Sequence, residues 1–497
     1  MKMQADSLYD VKALKKYLII IAIFSGLSYV TKGYVFIVLP FFVFSALTKR
    51  NLVDLLFWVM ILSFTGVANP YLFPKTPITF VIARLSLGVV SLILMLRTAG
   101  RKDAKIVAPL AGIFVYIAWE AIISAQGFDP IVSYLKIILF IPIYLAFYSV
   151  ANEVTTSIGV DSRAIRSAIL AMACFVVFGS MALWPFPSVS QLMVRSIDDV
   201  AQISQMVAEG HSLFMGVTNH SQALGPVLGV FLAVVFGDLI FAIKKFDLLY
   251  VLILLFGFFL VVKTSSRTSM AAFVAGLIVM TWLLNLARNI NTRWKGKVMA
   301  GIWLFAILMV FIVFSVPSVR KRVMEFALKR YATGTEIVSS DLTYENITSS
   351  RQGLIDVAME NYKKKPLTGN GFQVSEDMQY EHRHSFWDYM SAPIEKGVWL
   401  SAVLEEGGFP GLIFFGGFLM TCFFTLIRRR AYLGAGSLFV LSIVNLGEFT
   451  FFSLSYAGGF EWFLVFAAVT LDGQRINGEI SVRNDWQSSY DYLRNGY

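Results

Sequence analysis

Residues 247–287, DLLYVLILLFGFFLVVKTSSRTSMAAFVAGLIVMTWLLNLA, are two apolar runs parted by one polar break, Thr264–Ser269. Each run is long enough to cross the roughly 30 Å hydrocarbon core of a bilayer as a helix. In lipid every backbone amide must find its partner within the segment, so a helix is the conformation left to such a run. The break is too short for a domain, and the stretch predicts a helical hairpin that turns at the membrane surface.

The same reading extends along the chain. Of 497 residues, 57% are hydrophobic and only 15% charged, with a mean hydropathy of +0.67, which excludes an ordinary soluble domain. Fourteen candidate spans fall at about 17–31, 34–48, 53–68, 78–96, 106–124, 131–150, 165–185, 222–242, 247–263, 267–287, 298–316, 409–427, 431–448 and 458–472. The first two are short, so 12–14 brackets the count. The expected fold is all-α: a polytopic membrane protein of about 14 transmembrane helices with a large extracytoplasmic loop subdomain. No small-residue cleavage site follows the first run, so a cleaved signal peptide is not expected.

Lys and Arg in short connections are retained in the cytoplasm. In the fourteen-span arrangement the basic connections all fall on one side: Lys12, Lys15 and Lys16; Lys49 and Arg50; Arg97, Arg101, Lys102 and Lys105; Arg163 and Arg166; Lys244 and Lys245; Arg288, Arg293, Lys295 and Lys297; Arg428–Arg430. Both termini are then cytoplasmic. The predicted order is a cytoplasmic N-terminus (1–16), a first bundle (17–185), a periplasmic loop (186–221), central helices (222–316), a large periplasmic loop with the catalytic residues (317–408), C-terminal helices (409–472) and a cytoplasmic tail (473–497). The net charge of +10 is mostly this retention signal. Scattered over loops, it does not make a nucleic-acid surface.

Ionisable residues inside the spans gather at the opposite, outer ends: Arg84, Glu120, Lys136, Lys263, Arg267, Glu448 and Glu461. Such residues are costly in lipid and usually line a cavity or pair with each other. Arg84 and Glu120 could form an ion pair that locks two helices, but the shared sidedness favours a polar cavity open to the outside. Asp238 is the exception, at an inner end near Lys244, where it reads as interfacial.

Three outer segments hold candidates for chemistry. Thr264–Ser269 offers hydroxyls, helix-start amides and the Arg267 guanidinium, a donor set suited to an oxyanion or a diphosphate; the plainer reading is Ser266 as a helix cap beside an interfacial Arg. Thr218–Ser221 reads equally as a helix cap with a packed His220. In the large loop, an amphipathic stretch from Ser350-Arg351 leads to Lys363-Lys364-Lys365-Pro366 and a glycine turn, then to Glu381-His382-Arg383-His384. A histidine there could serve as a general base near neutral pH. Metal ligation by His-x-His lacks further ligands at suitable spacing. No cofactor motif is present.

Taken together, GVTNHSQALG (216–225), SSRTS (265–269), SRQGL (350–354), PLTGNGF (366–372) and WLSAVLEEGGFPG (399–411) resemble the O-antigen ligase/Wzy polymerase superfamily over roughly residues 200–425. The resemblance implies a metal-independent, inverting glycosyltransferase, free of cofactors, at the periplasmic face of a bacterial inner membrane. Its donor would be a polyprenyl-diphosphate-linked glycan, and its acceptor another such glycan, lipid A core or a protein hydroxyl. Arg267 and Arg351 would then bind the diphosphate, with His220, Ser266 and Arg84 among the substrate contacts. A flippase and a chain-length regulator are the partners such an enzyme would work beside. Ligases of the family carry a His about one helix length before the Glu-x-Gly turn, and here Lys396 occupies that spacing. Either His384 is the displaced base, which the reading favours, or Lys396 and Glu405 take its part. The departure favours a polymerase for exopolysaccharide or O-antigen over a ligase. A flippase or exporter of lipid-linked sugars is the reading from another class, although no charges at the midplane point to it.

Overall fold

The computed structural model describes residues 8–74, 82, 85, 86, 89, 90, 93, 107–138, 161–190, 214–243, 246–264, 266–287, 290–315, 344–374, 398–447, 450–452 and 458–472. These residues are all-helical apart from turns and a single bridge between Ala68 and Thr218. The helices are α1 (Val11–Val30), α2 (Leu39–Thr48), α3 (Leu52–Phe64), α4 (Val107–Ser124), α5 (Ser162–Cys174), α6 (Ser221–Asp238), α7 (Leu248–Lys263), α8 (Arg267–Leu286), α9 (Thr292–Ser315), α10 (Tyr344–Lys364), α11 (Trp399–Arg428), α12 (Tyr432–Val444) and α13 (458–472). Both α5 and α6 run on through a π-helical turn, Phe175–Gly179 and Leu239–Ile243.

Among the described residues five helices are long and apolar enough to cross a membrane: Val11–Val30, Ser162–Leu183, Ala223–Phe241, Arg267–Leu286 and Trp399–Arg428. Shorter apolar helices accompany them, such as Leu52–Phe64 and Leu248–Lys263, and α10 is amphipathic. Apolar residues on every side mark a helix for the interior, and α6 is that helix. Its span is wholly buried, and it packs against α7, α8 and α12. The opening hairpin is α7 and α8, joined at Thr264–Ser266 as its sequence predicts.

Two findings depart from the sequence reading. Helix α11 is two arms parted at Gly408, whose φ of 65° and ψ of −168° are not helical: the second arm starts at the expected 409, and the first, from Trp399, adds helix where a loop was expected. Asp238, expected at an interface near Lys244, has Arg166 as its partner instead. It is buried, and the Arg166 guanidinium of α5 grips it with Nε at 2.7 Å and Nη2 at 3.1 Å. The Tyr250 hydroxyl of α7 donates to the same carboxylate at 2.6 Å, and Arg166 also reaches the Leu8 carbonyl at 2.8 Å. A periodicity argument cannot see this, since Arg166 and Asp238 are far apart in sequence. The lock ties α5, α6, α7 and the N-terminal segment together at one end of the bundle.

Candidate functional site

At the other end lies the bend in α11, where Glu405-Glu406-Gly407-Gly408-Phe409-Pro410 turns through Gly408 at φ 65°. Pro410 has no amide hydrogen, and a bent helix cannot supply the usual partners four residues on. The orphaned groups are met from outside. Asn370 N donates to the Glu405 carbonyl at 2.8 Å, Gly371 N to the Glu406 carbonyl at 3.0 Å, and Phe409 N to the Pro366 carbonyl at 2.8 Å. The Gly407 carbonyl accepts from Trp119 Nε1 of α4 at 2.8 Å. PLTGNGF and EEGGFPG therefore form one joint, clasped main chain to main chain. Gly369 sits in the left-handed region at φ 63°, and a Cβ there would collide with the Glu406 carbonyl.

The clasp is anchored on both flanks. Phe128 N donates to the Asn370 carbonyl at 2.8 Å, Phe372 N to Ser124 Oγ at 3.2 Å, and the buried Lys136 ammonium to the Gln373 carbonyl at 2.9 Å. Helix α10 delivers Asn361, whose amide donates to Glu405 Oε1 at 3.0 Å while its own oxygen accepts from Lys364 at 3.3 Å. Glu120 and Glu406 are buried nearby. A side chain at Gly407 would take the place of the Glu120 carboxylate, and the Tyr116 ring lies beside both acids.

Two further helix starts reach the same end. Ser266 caps α8, accepting from Ser269 N at 3.4 Å and pairing with Ser269 Oγ at 2.7 Å, and this leaves Arg267 half-buried as the first helical residue. The carbonyl of half-buried His220 caps α6 through Ala223 N and Leu224 N at 3.1 and 3.0 Å. A Cβ at Gly225 would lie 2.6 Å from that of Ser266, so the starts of α6 and α8 touch. Thr268 packs on Gly447, and Trp399 N donates to the Asn445 carbonyl at 3.1 Å, which joins the start of α8 to the first arm of α11. Ser266, Arg267, His220 and Glu405 are thereby gathered at one end of the bundle. Arg351 is on α10, ten residues before Asn361. Arg84, His384 and Lys396 lie outside the described residues, as does Glu448. Among the described residues no group of His, Cys, Asp and Glu could hold a metal.

That end sets a guanidinium and a hydroxyl-rich helix start beside a braced acidic bend. Residues 249–416 match the family model for O-antigen ligase. Over this segment the chain is similar to the O-antigen ligase family, which supports the resemblance to the O-antigen ligase/Wzy superfamily. The match takes in Ser266, Arg267, Arg351, His384, Lys396 and Glu405, while Arg84 and the His220 motif fall outside it. No curated protein matches the chain. With its apolar helices, the chain is a multi-pass membrane protein with an O-antigen ligase- or polymerase-type function. Asn361 escaped the sequence reading. Its signal was a polar residue three positions after buried Ala358, on the face of α10 that packs inward.

Proposed function

We propose that the chain is a polysaccharide polymerase, joining polyprenyl-diphosphate-linked repeat units at the periplasmic face of the inner membrane. In this reading His384 takes the proton of an acceptor sugar hydroxyl. The freed oxygen attacks the anomeric carbon from the side opposite the leaving group, and the bond to the diphosphate breaks with inversion. Arg267 and Arg351 stabilise the charge that develops on the departing diphosphate. Lys396, with Glu405, is the alternative base. No metal or cofactor enters the step.

The observation that carries the proposal is the gathering of the α6, α8 and α11 starts around the clasp, the last two of them inside the segment of the family match. Orientation is supported by the basic connections, since Arg163, Arg166 and Arg428–Arg430 lie at the lock end, opposite the clasp. The fourteen-span arrangement puts 317–408 outside, with the first arm of α11 lining that segment.

Purified lipid-linked repeat units, supplied alone, test the assignment. A polymerase builds ladders from them, and Arg267→Ala or Arg351→Ala lowers elongation about 10²–10³-fold at equal protein level. Full activity in both variants would remove the mechanism. A ligase is the second reading, favoured by the description of the matched family. It would leave the units unjoined until lipid A core or a protein acceptor is added.

A further inference from the structure

Beyond the bend, α11 exposes one face. Phe409 (51%), Ile413 (54%), Met420 (55%) and Phe424 (50%) recur with helical spacing and lead to Arg428–Arg430. From Phe409 to Arg428 the helix rises about 28 Å, close to the hydrocarbon thickness of a bilayer. One stripe thus spans the core from surface to surface. At its upper end Phe409 N is bonded to the Pro366 carbonyl, which sets Lys363-Lys364-Lys365 and the exposed Leu367 (66%) immediately above the stripe. Lys364 is engaged with Asn361, while Lys363 is exposed and Lys365 half-exposed.

Each part has a plain explanation. Lysines in a last turn complement the helix dipole, and a lipid-facing helix is apolar. Neither explains why a triple lysine should be fixed, through the clasp, at the head of a stripe of bilayer length.

The geometry points to a binding site for an anionic glycerophospholipid, its acyl chain along Phe409, Ile413 and Met420 and its phosphate against Lys363 and Lys365. The occupant is a lipid of the surrounding leaflet, not the glycan donor, so the site stands apart from the reaction proposed above. Charge complementarity selects an anionic headgroup over a zwitterionic one.

The full-length protein in nanodiscs tests this with phosphatidylglycerol or phosphatidylcholine carrying a photoreactive acyl chain. In the parent, phosphatidylglycerol adducts on Leu367, Phe409 and Ile413 should exceed phosphatidylcholine adducts about tenfold. In Lys363→Gln/Lys365→Gln they should fall to the phosphatidylcholine level, and in Lys363→Arg/Lys365→Arg they should persist. Adducts near Arg428–Arg430 should be unchanged in all three proteins, reporting intact folding. Equal labelling by the two lipids in the parent, or labelling that survives the glutamine variant, overturns the site. So does displacement of phosphatidylglycerol by an equimolar polyprenyl phosphate, which would give the lysines to the donor.

Discussion

The two ends of the bundle are held by opposite means. At the lock end Arg166, Asp238 and Tyr250 are joined side chain to side chain, by charge-assisted bonds in a buried place. At the clasp end the two motifs are joined to each other by main-chain amides and carbonyls, placed by Gly369 and Gly408. A buried ion pair depends strongly on each partner, because removing one strands the other. A main-chain clasp depends on backbone shape and is indifferent to most side chains. The lock therefore fixes the helices, and the clasp fixes the 366–372 segment to them.

Breaking the lock should have the largest effect. Asp238→Ala leaves Arg166 buried without its carboxylate and should cost about 3–5 kcal/mol. Arg166→Leu/Asp238→Leu should recover most of that loss. Thermal unfolding midpoints in detergent measure both, and a single variant as stable as the parent would show that the pair carries no weight.

Next comes the clasp. Gly369→Ala puts a side chain into the left-handed region and against the Glu406 carbonyl, for about 2 kcal/mol or more. The loss should be local, with faster proteolysis within 366–372 while the rest of the bundle keeps its protection. Global unfolding with no local opening would contradict the division of labour between the ends.

The smallest effect sharpens the comparison, since Asn361–Glu405 is a side-chain bond at the clasp end. Asn361→Ala should cost about 1–2 kcal/mol. In a double-mutant cycle with Glu405→Gln, a coupling energy of about 1 kcal/mol is expected. Zero coupling would leave the clasp supported by main chain alone.

The helices were legible where apolar runs are long. The α7–α8 hairpin falls within a residue or two of its expected bounds, and Ser266 caps α8 where its hydroxyl predicts. Gly407-Gly408-Phe409-Pro410 marked the break in α11, but neither the helical arm before it nor the groups that take the hydrogen bonds left open there. Those groups, at Pro366, Asn370 and Gly371, lie some forty residues upstream. The partner of Asp238 was missed for the same reason, being 72 residues away. The motifs PLTGNGF and EEGGFPG were each legible, but their union was not, since nothing in a main-chain contact marks which side chains will face each other.

That union has a consequence for how such a protein can change over time. Leu367 and Thr368 are solvent-exposed in the middle of the clasp, and the hydrogen bonds on either side use only amides. Mutational drift at those two positions leaves the architecture intact, so the exposed rim can be rewritten residue by residue while the hinge that holds it stays the same.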